Sequence, residues 1–272
     1  MKKTIVITGA GGVLCSGFAR HLAASGARVA LLDLNQEAAE AVAADIRAAG
    51  GEARAWKANV LEKDSLEAVH AEILAAFGPC DILVNGAGGN SPKCTTTHET
   101  FEPGDETRDD IATFFNLPKA GFDFVFGLNI MGVLLPTQVF ARDMVGRAGC
   151  SILNVSSMNA FRPLTKIPAY SAAKAGVSNF TEWLAVHFAE AGIRVNAIAP
   201  GFFITEQNRA LLTNPDGSYT QRGQDVIRQT PFGRMGEPEE LCGTIHYLIS
   251  DAARFVTGTV AVVDGGFNAF AM

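Results

Sequence analysis

Short runs rich in β-branched residues alternate along this chain with alanine-rich stretches of helical periodicity. Continuous apolar strands that alternate with helices are typical of a parallel sheet covered on both faces. The predicted strands lie at 3–8, 27–33, 52–58, 81–85, 150–155, 193–198 and 259–263, and clear helical patterns lie at 37–49 and 66–77. The sequence therefore predicts an α/β fold, with a doubly wound parallel sheet and helices on both of its faces.

Residues 1–272 contain no linker-like change of composition and no internal repeat, which predicts a single domain. Two irregular stretches interrupt the alternation, at 90–122 and at 201–236. Long loops in a compact domain are usually functional, although plain insertions occur. We interpret 90–122 as an insertion and 201–236 as a substrate lid, because the second follows the carboxyl end of a predicted strand.

Composition excludes several classes of protein. Hydrophobic residues make up 48% of the chain, charged residues 18%, and the formal net charge is -6. Such a chain is too apolar to be disordered, and its acidic balance argues against broad binding to nucleic acid or to an anionic membrane. The stretch 124–141 is nearly long enough to span a membrane, but polar residues and Pro136 interrupt it, so we predict a buried helix.

The five cysteines are odd in number and no two are close in sequence. A disulfide framework is therefore not expected, and reduced thiols and a cytoplasmic location are the simpler interpretation. The amino-terminal run resembles a short secretory signal, but it fits better as a strand followed by a glycine turn.

The first predicted strand leads into Gly9, Gly11 and Gly12 and then into a helix. Such glycines let backbone N–H groups approach a pyrophosphate at a helix amino terminus. The second strand ends in Asp33, where a carboxylate can bind a ribose diol and repel a 2′-phosphate. We therefore predict NAD as the cofactor. The alternative for Asp33 is a simple helix N-cap.

A second motif contains Ser157, Tyr170 and Lys174. Tyr170 and Lys174 are four residues apart, so they share one face of a helix. A nearby ammonium group favours the phenolate and is expected to lower the pKa of Tyr170 toward neutrality, which would make it an acid/base for carbonyl–alcohol exchange. Ser157 can hydrogen-bond the reacting oxygen. The alternative is an ordinary surface pair.

In this order and spacing, the chain resembles the classical short-chain dehydrogenase/reductase family over essentially its whole length. The resemblance implies a Rossmann-like sheet, with Tyr170 as acid/base, Ser157 orienting the substrate oxygen and Lys174 holding the nicotinamide ribose. It also implies that Asn129 anchors a water in a proton relay. The implied cofactor-binding residues are Gly9, Gly11, Gly12, Val13, Leu14, Asp33, Asn59, Val60, Asn85, Gly86, Ala87, Tyr170, Lys174, Pro200, Gly201, Phe203 and Thr205.

The chain departs from the family pattern at a few positions. Val13 and Cys15 stand where the family usually has two glycines of its Gly-x-x-x-Gly-x-Gly motif. Asn59 replaces the usual aspartate at the adenine position, and Asn85-Gly86 replaces the commoner Asn-Asn. None of these changes removes a catalytic group.

Further details are similar to the branch of the family that interconverts D-mannonate and D-fructuronate. The expected substrate is therefore a sugar acid, which needs a cation for its carboxylate and polar groups for its hydroxyls. A neutral polyol or ketose, or another hydroxy acid, is the alternative substrate, and a non-catalytic nucleotide-sensing protein is the alternative outside enzymes. The predicted substrate residues are Ser157, Asn159, Arg162, Gln207, Asn208 and Arg209.

The sequence predicts no metal site. His98, Glu99 and Glu102 lie in an acidic stretch, which favours a solvated face over a set of ligands. The apolar 124–141 run and the phenylalanine-rich carboxyl-terminal tail would suit contacts between subunits, and the family resemblance implies a homo-oligomer, either a tetramer or a dimer.

Overall fold

The computed structural model describes residues 2–205 and 208–271, and within these residues the fold is a seven-stranded sheet with helices on both faces. All neighbouring strands are parallel, in the order β3-β2-β1-β4-β5-β6-β7. The strands are β1 Thr4–Thr8, β2 Arg28–Asp33, β3 Glu52–Lys57, β4 Ile82–Asn85, β5 Ser151–Val155, β6 Arg194–Pro200 and β7 Val260–Val263. The α/β fold and the strand positions predicted from the sequence are confirmed.

Six of the described α-helices fall on the two faces of this sheet because each has one apolar side. Residues of α1, α2 and α9 pack in one core cluster, and residues of α3, α5 and α6 pack in another. The described helices are α1 Val13–Ala24, α2 Gln36–Ala48, α3 Lys63–Phe77, α4 Lys119–Phe126, α5 Gly132–Phe140, α6 Pro168–His187, α7 Arg209–Leu212, α8 Gln221–Gln229 and α9 Cys242–Ile249.

The strand order reverses between β1 and β4, since the chain first moves outward to β2 and β3 and then returns to the other side of β1. At such a switch point the loops that follow the strands separate and leave a crevice at the carboxyl edge of the sheet. The loop after β1, the loop after β4 and the segment after β5 all open into this crevice. The fold therefore brings the predicted cofactor and catalytic residues to one edge.

The helical stretch Lys119–Met144 is long and apolar enough, by length and composition, to cross a membrane, and its most apolar window has a mean hydropathy of 1.7. Half of that window is buried inside the protein, whereas Phe124, Phe126 and Met131 are exposed. A core helix of a soluble protein passes the same test. The buried helix predicted from the sequence is thus buried along one side only.

The two irregular stretches contain short helical pieces. The 90–122 stretch has 3-10 turns at Pro92–Cys94, Asp105–Thr107 and Phe114–Asn116, and its last residues already belong to α4. The 201–236 stretch contains α7 and α8. An ion pair of 2.7 Å between Arg222 of α8 and Glu99 joins the two stretches.

Candidate active site

The turn between β1 and α1 approaches the loop after β4 very closely. Gly9 has a φ of +67°, and a Cβ at this position would lie 2.9 Å from the backbone of Ala87, so only glycine fits without strain. Gly12 is the N-cap of α1 and makes no side-chain capping bond. The first N–H groups of this helix therefore have no side-chain cap and are available to a phosphate.

The side chain of Thr8 fixes the loop after β4 against this turn. Its Oγ1 accepts hydrogen bonds from Gly86 N at 3.1 Å and from Ala87 N at 3.2 Å. Thr8 is fully buried, so these bonds are shielded from water and hold both loops in one arrangement.

Asp33 is held in place by backbone donors on both of its carboxylate oxygens. Oδ2 accepts from Gly11 N at 2.9 Å, and Oδ1 accepts from Asn35 N at 2.9 Å. Asn35, not Asp33, caps α2 by accepting from Ala38 N at 3.2 Å. The N-cap alternative for Asp33 is therefore removed. Its fixed carboxylate suits a ribose diol, and these residues together fit a dinucleotide.

Three other predicted cofactor residues have structural partners. The Asn59 side chain accepts from Leu61 N at 3.1 Å and donates to Glu62 at 2.9 Å, so it shapes the turn before α3. Val60 is buried. Asn85 donates to Thr137 and to Asn154, which ties β4 to α5 and β5. Contact of these residues with the cofactor stays a prediction.

The residues after β6 are placed by close backbone packing. Gly201 follows Pro200, and a Cβ on it would lie 2.5 Å from Asp264 Cβ, so the β6 and β7 ends pack without a side chain between them. The Phe203 side chain is buried against Gly236. The predicted role of Phe203 and Thr205 in cofactor binding is not tested by this packing.

Ser157, Tyr170 and Lys174 come together at the carboxyl end of β5. Ser157 lies two residues after that strand, and Tyr170 lies in the first turn of α6, which starts at Pro168. Burial raises the pKa of Tyr170, and a hydrogen bond with Ser157 lowers it in part. The expected lowering of the Tyr170 pKa by Lys174 is therefore wrong for this chain by itself, because loss of hydration outweighs any other effect on the phenolate.

Lys174 lies one helical turn beyond Tyr170 and is only 4% exposed. Its Nζ donates to the carbonyl oxygen of Val155 at 2.8 Å and lies 5.6 Å from the centre of the Tyr170 ring. Burial lowers the pKa of Lys174 from 10.5 to about 8. The contact with Val155 was not predicted, because a main-chain acceptor leaves no signal in the sequence.

Asn129 lies in a π-helical turn, Gly127–Met131, between α4 and α5. Its Nδ2 donates to Gly89 O at 2.8 Å and to Val125 O at 2.7 Å, and the side chain is fully buried. A Cβ at Gly88 would lie 2.7 Å from Asn129 Oδ1 and 3.0 Å from Lys174 Nζ. Gly88 is therefore a site residue that our predicted set lacks, although it belongs to the same glycine motif as Gly86.

The predicted substrate residues lie in different surroundings. Asn159 is buried next to Ser157, whose Oγ accepts from its backbone N–H at 3.2 Å. The Asn208 amide is used inside the lid, where it donates to Phe203 O and accepts from Thr205 N, each at 2.8 Å. Gln207 lies outside the described residues.

The two predicted carboxylate-binding cations differ in setting. Arg162 donates to the carbonyl oxygens of Phe267 at 2.9 Å and Phe270 at 3.0 Å, and its guanidinium lies 5.0 Å from the Phe267 ring centre. It therefore anchors the carboxyl-terminal segment next to the loop that follows β5. Arg209 is an exposed side chain in α7 of the lid.

The acidic stretch does contain one set of side chains close enough to share an ion. His98, Glu102 and Asp105 have ligand atoms within 4.8 Å of one another. His98 Nδ1 lies 2.9 Å from Asp105 Oδ2, however, so a hydrogen bond within the loop accounts for this arrangement.

A dinucleotide-binding crevice next to a Ser–Tyr–Lys set defines an oxidoreductase that exchanges a hydroxyl and a carbonyl group. A family model described as enoyl-(acyl carrier protein) reductase matches residues 12–268. The chain belongs to the short-chain dehydrogenase/reductase family.

Relatives and solved structures agree with this assignment. An uncharacterized oxidoreductase of Haemophilus influenzae is 56% identical over 98% of this chain and 94% of its own length. A solved structure from Haemophilus influenza with bound NAD, which carries the provisional name D-mannonate oxidoreductase, has a TM-score of 0.94 at 55% identity and covers 99% of this chain and 96% of that one. A gluconate 5-dehydrogenase from Burkholderia cenocepacia, in complex with NADP and tartrate, has a TM-score of 0.82 at 32% identity, with 100% and 97% covered.

Proposed function

We propose that this enzyme uses NAD(H) to interconvert a sugar acid and its keto form, and that the pair is D-mannonate and D-fructuronate. The observation that carries the proposal is the Ser157–Tyr170–Lys174 set, with Ser157 and Lys174 buried and Tyr170 partly buried, beside a cofactor crevice that ends in a fixed Asp33 carboxylate. The names of two similar structures, which refer to D-mannonate and to gluconate, support the sugar-acid class.

The chain's own residues supply binding and proton transfer. The bound nicotinamide supplies or accepts the hydride. Tyr170 donates its phenolic proton to the oxygen of the keto group during reduction, and Ser157 donates a hydrogen bond to the same oxygen as negative charge develops. Because burial raises the pKa of Tyr170, the phenol form needed for reduction predominates at neutral pH, whereas oxidation requires the phenolate and becomes faster as the pH rises.

Lys174 serves the cofactor in addition to the role that its spacing suggests. Its ammonium, held by Val155 O, lies beside Gly88 and Asn129 at the inner end of the crevice. There it can hold the hydroxyls of the nicotinamide ribose. In this position it also favours the transient phenolate of Tyr170 once the crevice is filled.

The substrate carboxylate needs a cation at the mouth of the site. Arg162 donates to two carbonyl oxygens of the carboxyl-terminal segment, and we give it the role of holding the wall of the site. We assign the carboxylate to Arg209 because it is an exposed cation on the lid.

Replacing Arg209 by Met is expected to raise the KM for D-mannonate by about tenfold to a hundredfold, as for the loss of a hydrogen bond to a charged group. The KM for neutral D-mannitol should change little. Arg162→Met should affect both substrates alike, because it loosens the carboxyl-terminal segment and not a substrate contact. Steady-state kinetics with both substrates measure the ratio of the two KM values for each variant.

The matched control is Arg228→Met, since Arg228 is also a lid arginine and pairs with Asp225 on α8. It should leave both KM values unchanged. If Arg209→Met does not raise the KM for D-mannonate relative to that for D-mannitol, the assignment of the carboxylate to Arg209 is wrong. Turnover of D-mannitol but not of D-mannonate by the unchanged enzyme would favour a polyol dehydrogenase instead.

The cofactor proposal is tested at Asp33. Asp33→Asn keeps the shape of the side chain but removes the charge that would repel a 2′-phosphate. We expect kcat/KM for NADP, relative to that for NAD, to rise by about tenfold to a hundredfold, in line with the cost of placing like charges together. Initial rates with both cofactors at a fixed substrate concentration give this ratio.

Asp45→Asn serves as the control because Asp45 is an exposed carboxylate at the far end of α2. Its cofactor ratio should equal that of the unchanged enzyme. A ratio that stays the same in Asp33→Asn, or NADP preference in the unchanged enzyme, would contradict NAD as the cofactor.

A further inference from the structure

Two departures from the family pattern meet in the folded chain. Cys15, in the first turn of α1, stands where the family usually has glycine, and Gly86, after β4, stands where it usually has asparagine. A Cβ at residue 86 would overlap with the Cys15 sulfur, which is the nearest atom to that position. The two positions are 71 residues apart in sequence, yet a side chain at residue 86 would occupy the space that the Cys15 thiol fills.

This shared volume lies at the centre of the cofactor crevice. Cys15 lies near enough to Lys174, at the inner end, and to Asp33, at the outer end, for both charges to influence the ionisation of its thiol. It is 4% exposed, so the thiol is closed off from bulk solvent. Thr8 Oγ1 accepts hydrogen bonds from Gly86 N and Ala87 N, which allows the loop no lateral shift without breaking them.

The contact sets the distance between two parts of the crevice. On one side is the amino terminus of α1, whose uncapped N–H groups are proposed to bind the pyrophosphate. On the other is the loop that continues to Gly88, which lies against Lys174 Nζ and Asn129 Oδ1. A larger side chain at residue 86, or a shift of Cys15, would move these two parts relative to each other.

We propose that Cys15 and Gly86 form one compensated pair, in which the thiol occupies the volume that the family pattern gives to the side chain of residue 86. Added volume at residue 86 therefore disturbs the cofactor crevice only while the thiol is present. The role of Cys15 is steric and not chemical, since burial raises the pKa of its thiol to about 12 and keeps it protonated.

The inference rests on the cofactor binding described under the proposed function and not on the sugar-acid substrate. It is tested by titrating four proteins with NADH and following the fluorescence of the bound cofactor: the unchanged enzyme, Gly86→Asn, Cys15→Gly and the double variant. No substrate is present, so a wrong substrate assignment cannot affect the result.

Gly86→Asn is expected to raise the Kd for NADH by about tenfold to a hundredfold, which corresponds to the usual cost of overpacking a buried site. Cys15→Gly alone removes volume and should change the Kd by no more than about threefold, because the loop is still held by Thr8. The double variant should recover affinity to within about tenfold of the unchanged enzyme, since the close approach of residue 86 to Thr8 O, at 2.8 Å, remains.

A matched control is Gly243→Asn in α9, where no atom lies within 4 Å of the added Cβ. Should Gly86→Asn not fold, the yield and melting temperature of the double variant replace the titration, and recovery of folding supports the pair. Equal Kd values for Gly86→Asn and the double variant, or failure of both to fold, would overturn it. If the unchanged enzyme does not bind NADH, the cofactor assignment fails instead.

Discussion

Tyr170→Phe is expected to lower turnover with D-mannonate or D-fructuronate by about a hundredfold to ten-thousandfold, the range that general acid–base groups usually contribute. The change removes one oxygen atom, and with it the proton that the reacting oxygen must gain or lose. The Kd for NADH should stay within about threefold, because the phenol is assigned to the substrate oxygen and the ring remains in place. Turnover and NADH fluorescence titration measure the two quantities on the same preparation.

The control for this variant is Tyr247→Phe, because Tyr247 is a half-exposed tyrosine on α9, far in sequence from the catalytic segment. It removes the same atom and should leave turnover unchanged. Undiminished turnover in Tyr170→Phe would rule out Tyr170 as the acid/base. Loss of both turnover and NADH binding would show that the variant disturbs the crevice itself.

The sequence could predict the fold, and it could propose the members of the catalytic set, because both leave local signals. β1 and β4 are buried along their whole length, so their residues form continuous apolar runs. The four-residue spacing of Tyr170 and Lys174 fixes one helix face whatever surrounds it. Asp33 ends its strand at the position where the carboxyl edge of the sheet must lie.

The properties of those groups could not be predicted, since they depend on the surroundings that the fold assembles. Spacing suggested a lowered pKa for Tyr170, whereas burial by distant segments raises it. A carbonyl oxygen of β5 holds Lys174, and two carbonyl oxygens of the carboxyl-terminal segment hold Arg162. Any type of residue can supply a main-chain acceptor, so such contacts leave no pattern in the sequence.

The contact between Cys15 and Gly86 is another feature that the sequence alone could not predict. Each departure from the family pattern was visible in the sequence, but each looked like an independent loss. Only the packing of α1 against the loop after β4 reveals that one change makes room for the other. The oligomeric state and the cytoplasmic location stay predictions from the sequence.

Lys174→Met is expected to abolish most of the activity and yet not to destabilise the protein at pH 7. The activity should fall by at least about a hundredfold, because the group proposed to hold the ribose and to favour the phenolate is lost. The Lys174 pKa is lowered from 10.5 to about 8, and at about 1.4 kcal/mol per pKa unit the buried charge therefore costs roughly 3 kcal/mol. Removing the charge therefore stabilises the folded protein. Loss of the hydrogen bond to Val155 O offsets about 1–3 kcal/mol of that stabilisation.

The pH dependence distinguishes this account from a purely structural role. Below pH 8 the lysine is protonated in both the folded and the unfolded chain, so the full cost of the buried charge is present. Between about 8 and 10.5 the folded chain releases the proton while the unfolded chain retains it. Unfolding then takes up a proton, and the stability of the unchanged enzyme must rise with pH relative to that of Lys174→Met.

Urea unfolding of both proteins between pH 7 and pH 10 measures this difference, and the other groups that titrate in this range largely cancel because both proteins carry them. Lys119→Met is the control, since Lys119 is 86% exposed and pairs with Asp123 on the surface of α4. The difference in unfolding free energy between Lys119→Met and the unchanged enzyme should stay the same between pH 7 and pH 10. A Lys174→Met protein that is several kcal/mol less stable than the unchanged enzyme, with a difference independent of pH, would show that the ammonium group stabilises the fold and that its burial has little effect on its pKa.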